Sequence, residues 1–267
     1  MKPALIKAVL DQSFNDLKPF SLRYEREKKR YAHTLNTVTD LISSSKKILD
    51  IGTGTGIIPL SLRRMGFDAQ GLEYYIFPEN NVGKFATKAF EESKALRSRW
   101  LELNLVVHEK NFLTDDLESL GKFDLIASEA LIEHLKDPAL FLKRVSSLLN
   151  EQGFLIIATP NQATLINRIR LTLGRSIYWP IDEFFTDGER FIGHWREYAL
   201  TELEYMVSTA GFKIIRSENI NLLQHFRKIG VNKKNLRALI YLISNIIPGT
   251  RDMNYIIARK LATSERG

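Results

Sequence analysis

Three glycines, Gly52, Gly54 and Gly56, come directly after the short apolar run Ile48-Leu49-Asp50-Ile51. Glycine lets a backbone turn sharply and approach a ligand closely, because no Cβ stands in the way. The run Ile57 to Leu62 continues as a helix, whose first free N–H groups suit a polar or anionic group. Strand, G-x-G-x-G turn and helix together make a candidate nucleotide-binding turn, which does not by itself select the nucleotide. Glu73 ends a second strand-like run, Phe67 to Glu73, about 17 residues past Gly56. That is close to the offset at which an acid binds a ribose diol. A carboxylate suits the task because its two oxygens accept hydrogen bonds from adjacent hydroxyls.

The elements that must hold these groups alternate along the chain. After the first two strands come a long charged helix, Asn80 to Trp100, and a third strand over Leu103, Leu105, Val106 and Val107. Phe123 to Ser128 reads as a fourth strand, and Gly153 to Thr159, closed by Pro160-Asn161, as a fifth. Between those two, Asp137-Pro138 opens a helix with an acid at the cap and proline in the first turn. Five strands alternating with helices predict an α/β fold with a doubly wound parallel sheet, whose ligands sit beyond the carboxyl ends of the strands. Phe212 to Ile215 and Met253 to Ala258 are expected as sixth and seventh strands. Met1 to about Ser45 reads as helical, with FSLRYEREKKRY as a mobile lid or an exposed helix start. Residues 161–195, with a basic helix over Leu165 to Leu173 and the aromatic stretch IYWPIDEFF, break the rhythm and read as an inserted cap over the site. HWREYALTELEYMVSTAGF then reads as a helix ended by Gly211. The whole chain, 1–267, is expected to be one domain: N-terminal helices to 45, a cofactor-binding core over 46–160, the cap, and a C-terminal part over 196–267.

Composition narrows the chemistry. The chain has no cysteine, which removes disulfides, thiolate metal sites and cysteine nucleophiles together. Nothing in MKPALIKAVLDQSF has the apolar core of a signal peptide, and no run approaches the roughly 20 apolar residues of a membrane span, so a cytoplasmic location is expected. The net charge of +7 is local. From Asn221 onward nine basic residues stand against Asp252 and Glu265, nine minus two, so the first 220 residues sum to zero. The apolar run Leu236 to Ile247, flanked by Lys233, Lys234, Arg237 and Arg251, suits either packing on the sheet, a dimer contact or rest on an anionic membrane.

The order of these pieces resembles the class I S-adenosylmethionine-dependent methyltransferases with a methyltransferase-11 or -23 type domain. ILDIGTGTG, the strand ending in Glu73, FDLIASEALIEHLKDPALFLKRVSSLLNEQGFLIIATPN and HWREYALTELEYMVSTAGF carry the likeness, over about Lys46 to Phe212. It implies a Rossmann-like seven-stranded sheet, mostly parallel with the last strand antiparallel, and S-adenosylmethionine as cofactor, leaving as S-adenosylhomocysteine. Carried over by position, Asp50 and the turn Gly52, Thr53, Gly54 and Gly56 would hold the methionine portion, and Glu73 the ribose. Asn111 stands where the family often has an adenine-binding Asp, and Phe112 could pack on the adenine face. Ser128, Glu129 and Ala130 would lie near the methionine end.

Methyl transfer from a sulfonium asks the protein to align the acceptor, exclude water and sometimes remove a proton. His194, in HWREY, and His134, in the EHL loop, are the candidate bases. Glu133 and His134 could bind a metal, but with no third ligand at suitable spacing no metal is expected. The acid-proline-proline-aromatic turn of amine-methylating nucleic-acid enzymes is replaced here by SEAL, and carbon-5 cytosine chemistry needs the absent cysteine, so nucleic acid is not the expected acceptor. An oxygen, or less readily a nitrogen, of a small-molecule, sugar or lipid-linked acceptor is the expectation. A nicotinamide dehydrogenase and a non-catalytic cofactor- or partner-binding module are the alternatives, and the residues do not fix an oligomeric state.

Overall fold

The computed structural model of the protein describes residues 3–18, 20, 24–74, 94–187, 191, 193–222, 234–262 and 264. Seven strands form one sheet, ordered β3-β2-β1-β4-β5-β7-β6. They are β1 (Lys47–Ile51), β2 (Asp68–Glu73), β3 (Val107–Glu109), β4 (Phe123–Glu129), β5 (Leu149–Pro160), β6 (Phe212–Ile220) and β7 (Met253–Lys260). From β3 to β5 every pairing is parallel, and β7 runs antiparallel to both β5 and β6. That is the mostly parallel, seven-stranded sheet with an antiparallel last strand that the sequence leads one to expect. The order reverses at β1, where β2 lies on one side and β4 on the other, and the crevice at such a reversal is where ligands of open α/β sheets bind.

The central strands are apolar almost throughout because both faces are covered. On one face Ile48, Leu125, Ile156 and Tyr255 meet α1 (Pro3–Leu17), α2 (Tyr24–Leu41), α3 (Ile57–Arg64) and α4 (94–102). On the other, Leu49, Ile51, Ile126 and Ile157 meet α5 (Pro138–Leu148) and α8 (Leu200–Thr209). The remaining helices are α6 (Leu165–Thr172), α7 (Ile181–Asp187) and α9 (Lys234–Ile246). Asp137 caps α5 as its position before proline suggests, its carboxylate accepting from the Leu140 N–H at 2.8 Å.

Two sequence expectations change, and two open readings become definite. The apolar residues 103–106 are not strand: Asn104 takes a left-handed φ of 51°, and Leu105 turns inward against the glycine turn, so β3 begins only at Val107. The charged segment before Tyr31 is a helix start, and its Arg30 is buried. The helix expected from His194 begins at Leu200, because the Trp195 and Arg196 N–H groups are spent on the Glu133 carbonyl. The basic excess after Asn221 is not all solvated: Lys260 is buried against the Leu149 carbonyl and Glu151, and Arg251 bonds the Asn219 and Asn245 carbonyls. The expected helix from Asn80 lies outside the described residues up to residue 93, as do Arg227, Lys228 and Lys233. No helix among the described residues is long and apolar enough to cross a membrane.

Candidate active site

The glycine turn hangs from the carboxyl end of β1 and is stitched to its neighbour: the Gly52 and Thr53 N–H groups donate to the Leu72 carbonyl. Thr53 fits over β2 only because Gly71 has no side chain, since a Cβ there would stand 2.7 Å from the Thr53 methyl. Gly56 turns the chain into α3 with φ 88°, and a Cβ on it would meet Leu105 at 2.8 Å. Beside it the Trp100 indole N–H donates to the Thr55 carbonyl at 2.9 Å, so α4 clamps the turn from outside. Gly54 is different. Its φ is 57° and among the described residues nothing lies within 4 Å of where its Cβ would be, which makes a cradle at the centre of the turn.

Two carboxylates edge this cradle. Asp50 is buried, accepts the Thr53 hydroxyl at 2.7 Å, and is pushed up to about 7, chiefly by burial, with Thr53 pulling the other way. Glu73 accepts the Gly54 N–H at 2.6 Å and the Tyr74 N–H at 3.0 Å. Burial raises its pKa and those two donors lower it. Both stand where the sequence placed them. Asn111 and Phe112 are more committed to the protein itself than expected. The Asn111 amide oxygen accepts the Leu113 N–H, and the Phe112 ring is buried against Phe141, with centroids 5.2 Å apart. At the end of β4, Ser128 is buried with no hydrogen-bond partner for its hydroxyl among the described residues, and Ala130 holds a left-handed φ of 52°. Glu129 is turned to α2, where Arg30 pairs with it at 3.1 Å and the Thr34 hydroxyl donates to it. Burial still leaves its pKa raised, although Arg30 and Thr34 pull it down. Arg30 and Thr34 were not among the residues the sequence singled out; only the Glu129 end of that contact carried a motif.

The two candidate bases, far apart in the chain, meet in space. The Glu133 carbonyl accepts the Trp195 N–H at 2.8 Å, zipping the EHL loop to the HWREY segment. His134 and His194 then stand edge to face, with centroids 4.7 Å apart. The His134 Nδ1–H donates to the Gly193 carbonyl at 3.1 Å, and the His194 Nδ1–H to the Glu197 carboxylate at 2.7 Å. Each acceptor can only accept, so each neutral ring keeps its lone pair on Nε2. Against His194 lies an aromatic cluster, with Trp179 at 4.8 Å and Phe184, Phe191 and Trp195 packed edge to face beyond it. Gly193 permits this, since a Cβ there would fall 2.4 Å from the Phe191 ring. Glu133 itself is fully buried, with Thr159 donating to one oxygen at 2.9 Å, and burial pushes it up to about 7 against the pull of His194. The sequence offered Glu133 and His134 no third candidate metal ligand; in the fold a possible ligand atom of His194 comes within 4.8 Å of theirs.

A glycine turn at the switch point of a seven-stranded, mostly parallel sheet, with carboxylates near the ends of β1 and β2, is the arrangement of a Rossmann-like nucleotide-binding fold. The chain belongs to the methyltransferase-domain family of the 23 type, whose model matches residues 22–217. Its cofactor is accordingly S-adenosylmethionine, and the dehydrogenase alternative falls away. A ubiquinone biosynthesis O-methyltransferase of Caulobacter sp. (strain K31) is 28% identical over 116 residues, 43% of this chain and 41% of the relative. The match thus spans about two-fifths of that relative's length. Among solved structures, the putative methyltransferase bound to the Haloferax volcanii Trm112 activator aligns with a TM-score of 0.56 at 14% identity, covering 93% of this chain and 97% of that one. Phosphoethanolamine N-methyltransferase 2 of Haemonchus contortus, in complex with S-adenosyl-L-methionine, aligns with a TM-score of 0.55 at 16% identity, over 96% of this chain and 60% of that one. At such identities the structural likeness is one of fold.

Proposed function

We propose that the protein methylates a hydroxyl oxygen of a small or lipid-carried acceptor, working as one methyltransferase unit with the cofactor over 46–160 and the acceptor under the cap at 161–195. The observation that carries this is the meeting of His134 and His194 against an aromatic cluster, on loops at the same sheet end as the glycine turn. When bound, S-adenosylmethionine supplies an electrophilic methyl carbon on a sulfonium, so the donor needs no further activation.

This chain's residues do the rest. The ionised Asp50 carboxylate attracts the ammonium of the methionine portion, and the Gly52–Gly56 backbone lets that portion lie close. Glu73 takes the ribose hydroxyls with the lone pairs that Gly54 and Tyr74 leave over. Asn111 and Phe112 border the adenine, and Ser128 and Ala130 the methionine end. His194, oriented by Glu197, and His134 present Nε2 lone pairs to the acceptor oxygen's proton, or to a cation that acidifies it. Trp179, Phe184 and Phe191 exclude water and favour an apolar or aromatic acceptor body. Exposed Leu239, Leu242 and Ile246 on α9 and Phe185 on α7 would suit one carried on a lipid. Oxygen is preferred to nitrogen because the curated relatives are named O-methyltransferases and because a hydroxyl, unlike a neutral amine, must lose its proton.

Calorimetric titration with S-adenosylhomocysteine, with NADH as control, should give micromolar binding of the first alone. Radiolabelled methyl transfer to matched phenolic and amine acceptors should then label the phenols. Labelling confined to amines would overturn the oxygen assignment.

A further inference from the structure

We propose that Glu133, His134 and His194 form a site for one divalent transition-metal ion of the zinc class, open toward the acceptor. The catalytic half of this inference rests on the methyl-transfer reading above; the metal-binding half does not.

Four features support the site. One ligand atom from each residue lies within 4.8 Å of those of the other two, so a single ion could reach all three after small side-chain adjustments. Two imidazoles and one carboxylate form a nitrogen-rich set that suits zinc, cobalt, manganese or iron over magnesium and calcium. Glu133 is fully buried, yet among the described residues its Oε1 has no hydrogen-bond partner, while Thr159 satisfies Oε2. A buried carboxylate oxygen without a donor is expensive, and a cation is the ligand that would satisfy it. Both histidines are also set in the tautomer a metal needs. The Gly193 carbonyl and the Glu197 carboxylate each hold an Nδ1–H, which directs the coordinating lone pair to Nε2. Carboxylate and carbonyl partners of this kind orient metal-bound imidazoles in established sites.

The catalytic role comes from the three-ligand count. Three protein ligands leave at least one coordination position for an outside oxygen. A divalent cation on the acceptor hydroxyl lowers its pKa and holds it in place for in-line attack. The O–H proton passes to solvent, the oxygen–carbon bond forms, and the carbon–sulfur bond breaks with its electron pair left on sulfur. The site would then favour acceptors with two neighbouring oxygens, which can chelate the ion.

The test is titration of the full-length, untagged, chelator-stripped protein with CoCl2, read by the visible d–d absorption and by competition with ZnCl2. About one equivalent should bind with micromolar or tighter affinity. His134→Ala and His194→Ala should each weaken binding by more than 100-fold, and Glu197→Gln by about 10–100-fold. Glu133→Gln should do the same as the histidine variants; if it does not fold, those two carry the test. His108→Ala, whose ring lies on Gln70 at 2.9 Å, should leave binding unchanged. S-Adenosylhomocysteine affinity should hold across the set. Absence of cobalt and zinc binding, or binding undiminished in both histidine variants, would overturn the site. Cobalt binding without S-adenosylhomocysteine binding would keep the metal site and sink its catalytic role.

Discussion

Asp50 shows how a single side chain can tie cofactor affinity to pH. Its folded-state pKa of about 7 lies above the ordinary carboxyl value of 3.8 because burial penalises the charge. Between those values the folded chain holds a proton that the unfolded chain has released. The stability this proton confers is present at low pH and lost as pH rises through about 7. Asp50→Asn should therefore flatten the pH dependence of urea unfolding over that window and stabilise the free protein at pH 8 by at most roughly 4 kcal/mol. Cofactor affinity should run the other way: only the carboxylate attracts an ammonium, so wild-type affinity for S-adenosylhomocysteine should rise from about pH 6 to pH 8, while the variant stays weak and flat. A parallel rise in the variant would remove Asp50 from the site. Glu73→Ala should cost about 1–3 kcal/mol of the same affinity if it leaves ribose hydroxyls unpaired; unchanged calorimetry would reassign it to holding Gly54. These two acids were legible because their signals are local: a strand end, a glycine spacing, a fixed offset. The nearness of His194 to Glu133 was not, because nothing in HWREY points to a loop about 60 residues earlier.

At the level of elements, position was legible and bounds were not. Periodicity gave the strands and the helices, but an apolar run says only that residues are buried, not by what. Leu105 is apolar because it fills the space beside Gly56, not because it pairs in a sheet. The loop from His194 to Tyr198 looked helical because its irregular form depends on a distant carbonyl. Two substitutions separate structural from functional elements. Asp137→Ala removes the cap of α5 and should lower stability by about 1 kcal/mol, with cofactor affinity unchanged. Gly193→Ala should push the Phe191 and Trp179 rings apart from the histidines. Turnover should fall at least tenfold with S-adenosylhomocysteine affinity intact, since the cofactor turn is on other elements. If affinity fell as well, cap and turn would be coupled, and the division of labour between them would be wrong.

Across the whole molecule, the N-terminal helices do more than cover one face of the sheet. Arg30 of α2 reaches the carboxyl end of β4 at Glu129, and Thr34, one turn later, joins the same carboxylate and lies 3.1 Å from the Tyr255 hydroxyl of β7. Chain segments from the start, middle and end thereby meet at one buried charge, at the edge of the cofactor crevice. The sequence marked the Glu129 loop but could not show this, since an arginine in a charged stretch looks like every other exposed arginine until something buries it. A buried pair is costly to break from one side, because the remaining charge is stranded without water; replacing both sides by apolar groups is often nearly neutral. Arg30→Leu and Glu129→Leu should each destabilise the protein by about 3–5 kcal/mol in urea unfolding, and the double variant by clearly less than their sum. Additive losses would mean that the two charges do not sense each other in the folded state. If the cycle closes with the expected coupling while S-adenosylhomocysteine affinity falls in the double variant alone, α2 holds the crevice in shape through this pair.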